Sequence, residues 1–324
     1  MGKVSFIFRT DVHASDVAPV SWKGDYAGEI WSSLDQIGEL ARKYAVTAVL
    51  DGGDFFHVKA PTQNSHALVG KVSFIHQEYP CPVYCVEGNH DIKHNNLETL
   101  DQQPLGVLYH AKVFQHLREV SFESEGVRVR VVGFPYSPFR RLEELQALKK
   151  QGDEYLVAVV HALAGENPPA HVDEFFGEPV FRYGELSSRD GPDVFCFGHW
   201  HKDQGIVNIG HQWFVNQGAV SRGALSRENL SRTPKVALLD FSPTGVKVSS
   251  LPLKVLPASE VFDLEKKSQR EAEKRSIEQY VERVRADLQG STTDSEEDLI
   301  KSLNFARDIH EAALHYLQLA RGGS

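Results

Sequence analysis

Long apolar runs are missing from this 324-residue chain. No stretch approaches the roughly 18 apolar residues that a membrane span requires. The segment from Met1 to Arg9 has too short an apolar part for a secretory leader, and no cleavage site follows it. It reads as a strand. Cysteine is scarce: Cys81, Cys85 and Cys196 are odd in number and lie in apolar, strand-like contexts. They form no CxxC pair, which argues against a thiolate zinc site and a disulfide framework. Reduced cysteines lead to the expectation of a cytoplasmic protein. Positive charge is not in surplus either. The formal net charge of −9 argues against strong, nonspecific nucleic-acid binding by this chain alone. Bound cations or a basic partner subunit would alter that balance.

What is present is an ordinary globular composition on a chain long enough for one large core plus an appendage. The apolar run Val4–Phe8 is followed by a helical pattern in Ile30, Trp31, Leu34, Ile37, Leu40, Ala41 and Tyr44. A strand at Val46–Leu50, a helical stretch from about Gln63 to Tyr79 and a strand at Pro82–Val86 complete a βαβαβ series. Such a series marks a layered α/β domain. Val120–Phe122 and Val127–Gly133 read as a hairpin, and Tyr155–Val160 and Val194–Phe197 as buried strands. Ile206–Ile209, Trp213–Val215, Val236–Phe241 and Val246–Ser250 are short strands separated by turn residues. The expected architecture is a four-layer α-β-β-α sandwich of two mixed sheets with helices outside.

After Pro257 the pattern changes. Residues 263–324 contain no proline, and acidic residues outnumber basic ones. Ile277, Val281, Val284 and Leu288 form one apolar stripe; Leu299, Leu303, Ala306, Ala313, Tyr316 and Ala320 approximate another. The polar run from Gly290 to Ser295 separates them. The expected division is therefore a domain over 1–258 and a helix–linker–helix tail over 259–324.

Five motifs recur after the strands: Asp11-Val12-His13, Gly53-Asp54, Gly88-Asn89-His90-Asp91, His161, and Gly198-His199-Trp200-His201. The C-terminal edge of an α/β sheet is where such folds place their chemistry. Five strand ends would bring Asp, His and Asn side chains to that edge. Mixed oxygen and imidazole ligands suit Mn²⁺, Fe or Zn²⁺ better than Mg²⁺ or Ca²⁺. A shared carboxylate would hold two cations roughly 3.5–4 Å apart, the spacing that clamps both oxygens of an in-line phosphoryl displacement. Each motif is weak alone; all five in order point to phosphate-ester hydrolysis.

Their order and wording resemble the calcineurin-like metallophosphoesterase superfamily over about residues 3–250. Phe214-Val215-Asn216-Gln217-Gly218-Ala219 looks like that family's turn after the last motif, with Gln217 replacing a proline. Within the superfamily, Gly53-Asp54-Phe55-Phe56-His57 and Lys59-Ala60-Pro61-Thr62 look like the double-strand-break-repair nucleases, including the SbcD-type subunit and its phage relatives. The resemblance implies Asp11, His13, Asp54 and His201 around one metal. Asp54, Asn89, His161 and His199 would surround the other, with Asp54 bridging. His90 would face the scissile phosphate, and His57 would orient His90 or the phosphate. The metal in such nucleases is usually Mn²⁺. Asp91 is expected to cap the following turn. His66, His76, His94, His110, His116, His171 and His211 match no motif.

In the nuclease family a helical segment docks on the coiled coil of an SMC-like ATPase, which makes 259–324 a candidate docking segment. A capping domain usually precedes that segment. Here only Leu251–Phe262 separate the last strand from the tail, so a compact version is expected. The leading expectation is a metal-dependent DNA exo/endonuclease subunit acting in recombination or repair with the ATPase, homodimerisation being left open. The alternatives are a small-molecule or nucleotide phosphodiesterase or phosphatase, and an inactive scaffold.

Overall fold

The computed structural model describes residues 2–263, with Leu314. By compactness the chain divides into Met1–Phe262 and Asp263–Ser324. The two apolar tail stripes, the polar run between them and the ATPase-docking segment lie outside the described residues, apart from its first few positions.

The first sheet starts with β1 (Val4–Arg9), β2 (Ala48–Asp51), β3 (Val83–Cys85) and β4 (Gln115–His116). The second takes β5 (Glu119–Ser124), β6 (Val127–Phe134) and β7 (Tyr155–His161). A separate two-stranded ribbon pairs β8 (Leu163–Gly165) with β9 (Val180–Arg182). β10 (Val194–Gly198), β11 (Gly205–Ile209) and β12 (Gln212–Asn216) complete the second sheet, and β13 (Lys235–Ser242) and β14 (Gly245–Pro252) return to the first. The orders are β14-β13-β1-β2-β3-β4 and β11-β12-β10-β7-β6-β5. Both sheets are mixed. β1 to β4 run parallel, with β13 antiparallel to β1. β6, β7, β10 and β12 run parallel, with antiparallel edges at β5 and β11.

Strand alternation builds the layers. Phe6, Phe8, Ala48 and Leu50 pack against Val129, Val131, Val157, Val159 and Cys196 between the sheets. Their neighbours face outward, as successive side chains in a strand must. Ile7 and Val49 meet α1 (Tyr26–Lys43), α2 (His66–Gln77) and α3 (Pro104–His110). Ala158, Val160, Phe195 and Phe197 face Leu145, Tyr183 and Leu186 from two short helices. Burial on both faces explains why these strands read as continuous apolar runs.

The expected two-sheet α/β fold is therefore present, with fewer helices than a full outer layer over the second sheet would need. α1 begins at Tyr26, four residues before the sequence pattern suggests, because the Asp25 carboxylate accepts from the Gly28 N–H at 2.8 Å. α2 is capped the same way by Ser65 on the Leu68 N–H, at 3.0 Å. Capping satisfies amide donors that have no partner within the helix. Cys81, Cys85 and Cys196 are free thiols. No described helix is long and apolar enough to cross a membrane.

Candidate metal centre

The parallel strands β1, β2, β3, β7 and β10 end at one edge, and the five motifs meet there. The loops are tied together by backbone hydrogen bonds. Asp11 N–H donates to Gly53 O at 3.0 Å, and His13 N–H to Asp54 O at 3.0 Å. Val220 N–H donates to Thr10 O and Ala219 N–H to His201 O, so the turn after β12 buttresses both the first and last motifs. Asn216 Nδ2 donates to Trp200 O at 3.3 Å, and its Oδ1 accepts from Gly218 N–H.

Two groups of possible ligands share Asp54, and a third, His13, His57 and His90, lies beside them. Asp11, His13, Asp54 and His201 form one; Asp54, His161 and His199 form the other. Asp54 belongs to both, and a single oxygen, Oδ2, faces His13 Nε2 at 3.9 Å and His161 Nε2 at 3.5 Å. Its other oxygen accepts from the His90 N–H at 2.7 Å. His13 Nε2 lies 2.9 Å from His201 Nε2, and His201 Nε2 lies 3.5 Å from Asp11 Oδ1. Ligands about 2.1 Å from one ion stand about 3.0 Å apart at right angles and about 4.2 Å apart when opposite. The observed separations fall between these limits or within 0.1 Å of them.

Asn89 completes the second group. The inner end of its amide lies 3.1 Å from both Asp54 Oδ2 and His199 Nδ1. With Oδ1 inward, it stands 3.4 Å from His161 Nε2. The oxygen then also faces two acceptors, Asp54 Oδ2 and His199 Nδ1, an arrangement that a cation between them would relieve. The donor set thus fits two divalent cations: oxygens and neutral imidazoles, converging, with matched spacing.

The ligands are aimed by groups behind them, an arrangement that fixes ring orientation and tautomer. His161 Nδ1–H donates to Gly52 O at 2.6 Å, turning Nε2 toward Asp54. His199 Nε2–H donates to Glu178 at 3.0 Å, turning Nδ1 toward Asn89, and Tyr136 donates to the same carboxylate at 2.6 Å. Asp11 Oδ2 accepts from Thr10 Oγ1 at 2.7 Å and from His199 N–H at 3.1 Å, leaving Oδ1 toward His201. Glu178 and Tyr136 carry no sequence signal. Tyr136 follows β6 of the second sheet and Glu178 precedes β9 of the separate ribbon, both outside every motif.

Backbone geometry also marks the site. Asp11, His13, Asp54 and His199 have φ of 53°, 50°, 53° and 85°. Non-glycine residues rarely occupy this left-handed region, and clusters of them gather at functional sites. Gly88 is required by close packing: a Cβ there would collide with Asp54 Oδ1 and the Asp54 N–H.

Electrostatics follows from burial and crowding. Burial would push the Asp11 carboxyl up, but the hydrogen bond and charge of His201 hold it at about 2. Asp54 lies well below the carboxylate range; burial opposes this, and His161 outweighs it. His161 is disfavoured as a cation by burial, yet Asp54 raises it to about 9. His13 is pushed well below its ordinary value by burial and then by the charge of His201. A cation entering the site competes with protons on His161, as metal binding to histidine generally does.

His90 and His57 sit on the rim. His90 Nδ1–H donates to the His57 carbonyl at 2.6 Å, and the two rings stack at 5.5 Å. The His57 ring itself contacts His13, Nδ1 to Nδ1 at 3.4 Å. Asp91 does more than cap a turn. Its buried carboxylate accepts from the N–H groups of Phe55, Phe56 and Gly88, at 3.2, 3.1 and 3.0 Å, and so pins two motif loops together. Of the histidines outside the motifs, His76 is buried against Arg9, far from the ligands in sequence.

A two-sheet α/β fold with a shared carboxylate between two ligand clusters defines a metallohydrolase-type centre. The chain belongs to the calcineurin-like phosphoesterase family, whose family model matches residues 4–203. Proteins of this family bind two divalent metals. No curated protein sequence matches the chain. Similar solved structures include the sulfate thiohydrolase SoxB of Thermus thermophilus, at 14% identity and a TM-score of 0.45, covering 78% of this chain and 57% of that one. A dimetal phosphatase from Danio rerio is similar at 13% identity and a TM-score of 0.48, covering 78% of this chain and 99% of that one.

Proposed function

We propose that this chain is a two-metal phosphodiester hydrolase, and specifically the nuclease subunit of a DNA recombination or repair complex. The carrying observation for the hydrolase is Asp54 Oδ2, one oxygen facing the ligands of both clusters. Asp11, His13, Asp54 and His201 would hold one cation, and Asp54, Asn89, His161 and His199 the other. Bound there, two cations acidify water and neutralise phosphate oxygens. Mixed imidazole and oxygen donors suit Mn²⁺, Fe or Zn²⁺, and the resemblance to the nucleases favours Mn²⁺ among them.

The chain's own residues supply the rest. The His57 carbonyl fixes the His90 tautomer, so Nε2 is the atom that meets the substrate. Protonated on both nitrogens, a histidine so held gives its Nε2 proton to the leaving oxygen and keeps Nδ1–H on the His57 carbonyl. The His57 ring holds His13 in turn. The nuclease assignment is supported by the run from Gly53 to Thr62, with His57 and Lys59. The partner proposed for residues 259–324 is the coiled coil of an SMC-like ATPase. The net charge of −9 favours a second reading, a small-ester phosphodiesterase on the same site.

The test is Mn²⁺-dependent digestion of end-labelled linear and single-stranded DNA beside bis-p-nitrophenyl phosphate. Cleavage of DNA is expected; cleavage of only the small ester selects the second reading. His90→Ala should nearly abolish turnover with metal content intact, and loss of metal would refute its assigned role.

A further inference from the structure

Lys59 stands beside the centre, yet it belongs to neither ligand cluster. Its Nζ lies 3.2 Å from the outer end of the Asn89 amide. The backbone on either side is pinned, because Asn64 Nδ2 donates to Val58 O at 2.9 Å and to Ala60 O at 3.1 Å. The lysine is therefore held at the rim by its loop. The two ends of an amide have the same shape, so both orientations of Asn89 place atoms at the same points. Their hydrogen bonding is opposite. With the NH₂ inward, it donates to Asp54 Oδ2 and His199 Nδ1, and the outward oxygen accepts from Lys59. With the oxygen inward, as a cation requires, the outward NH₂ points at the Lys59 ammonium. Donor then faces donor, and Lys59 must find another acceptor.

We infer that Lys59 binds an anionic oxygen of the substrate phosphate, and that cation loading releases it for that task by turning the Asn89 amide. The inference rests on the reading of Asn89 as a metal ligand. An ammonium at this rim lies on the substrate side, in the same loop as His57, next to the residue that would hold the second cation. A phosphate diester supplies the charged oxygens that lysine prefers. Asn89 would thus couple metal occupancy to substrate affinity through one amide.

The experiment uses the full chain with Mn²⁺, bis-p-nitrophenyl phosphate as substrate and inorganic phosphate as competing ligand. Lys59→Met should raise KM and the phosphate inhibition constant roughly 10- to 100-fold, the loss of one charge-assisted hydrogen bond. Lys59→Arg should recover most of that loss. Lys43→Met, at the last residue of α1, should leave both constants unchanged and so controls for net charge. Calorimetric Mn²⁺ titration supplies the second readout. Lys59→Met should bind Mn²⁺ about 2- to 10-fold more tightly, because the inward-NH₂ state loses a partner. Unchanged KM and inhibition constants overturn the phosphate contact. Unchanged or weaker Mn²⁺ binding overturns the coupling. If the wild type hydrolyses no ester at all, the functional reading fails, while phosphate binding to the Mn²⁺-loaded protein still decides the role of Lys59.

Discussion

Arg9 and Asp51 form a fully buried ion pair at 2.7 Å, at the ends of β1 and β2 just before the two first metal loops. Arg9 also meets Tyr79 Oη at 3.1 Å and His76 Nε2 at 2.9 Å, and its guanidinium lies 5.2–5.8 Å from the Phe55, Tyr79 and Phe114 rings. We predict that Arg9→Met costs about 3–5 kcal/mol, the penalty for leaving one buried partner uncompensated. Asp51 would keep the Gly53 N–H, at 3.0 Å, and the Cys85 thiol, neither of which carries a positive charge. Against a total of about 5–15 kcal/mol, this brings the fold near its limit. Arg9→Met with Asp51→Leu removes both charges, and buried pairs so replaced are often near neutral. The double variant should therefore be more stable than Arg9→Met alone. Urea unfolding in chelator, with both single variants and the double, measures the coupling. A cost below about 1 kcal/mol for Arg9→Met, or strict additivity in the double, would refute the reasoning.

Further expectations concern the centre and the core. Glu178→Gln should weaken Mn²⁺ binding about 10- to 100-fold by releasing the His199 ring; an unchanged titration would show that the carboxylate does not aim it. Gly88→Ala should weaken binding of both cations by displacing Asp54, which the two clusters share, read as a drop in metal stoichiometry. His76 is held neutral, well below its ordinary value, by burial and then by the Arg9 charge. The unfolded chain takes up that proton below about pH 6.5, so stability should fall there by up to about 1.4 kcal/mol per pH unit. In His76→Gln the slope contributed by this group should vanish, and an identical pH dependence in both proteins would exclude it.

The strand ends and the candidate ligands that converge on them were legible because an apolar run followed by Asp or His is a local signal. β1, β2, β7 and β10 each ended in the structure within one residue of the expected position, where the motif begins. Helix starts were less visible. The Asp25 cap lies five residues ahead of the first clear apolar repeat, and α3 opens with Pro104, which reads as a breaker although the first helical turn tolerates proline. Glu178 and Tyr136 were invisible for a different reason. They reach His199 from loops that no periodicity describes, and the pairing of β8 with β9 and the contact of β8 with β10 bring Glu178 near. Asp91 was legible as polar and turn-like, but its three amide partners lie in two loops that only tertiary structure joins. The backbone strain at Asp11, His13, Asp54 and His199 has no sequence counterpart at all.

The ligands hang from both sheets: Asp11, His13, Asp54 and Asn89 follow strands of the first, His161, His199 and His201 strands of the second. Cations held there would act as rivets between the halves of the sandwich. Each would add folding free energy by mass action, about 2.7 kcal/mol at a hundred times its dissociation constant. The cation supply would then govern how long the protein survives proteases as well as how fast it works.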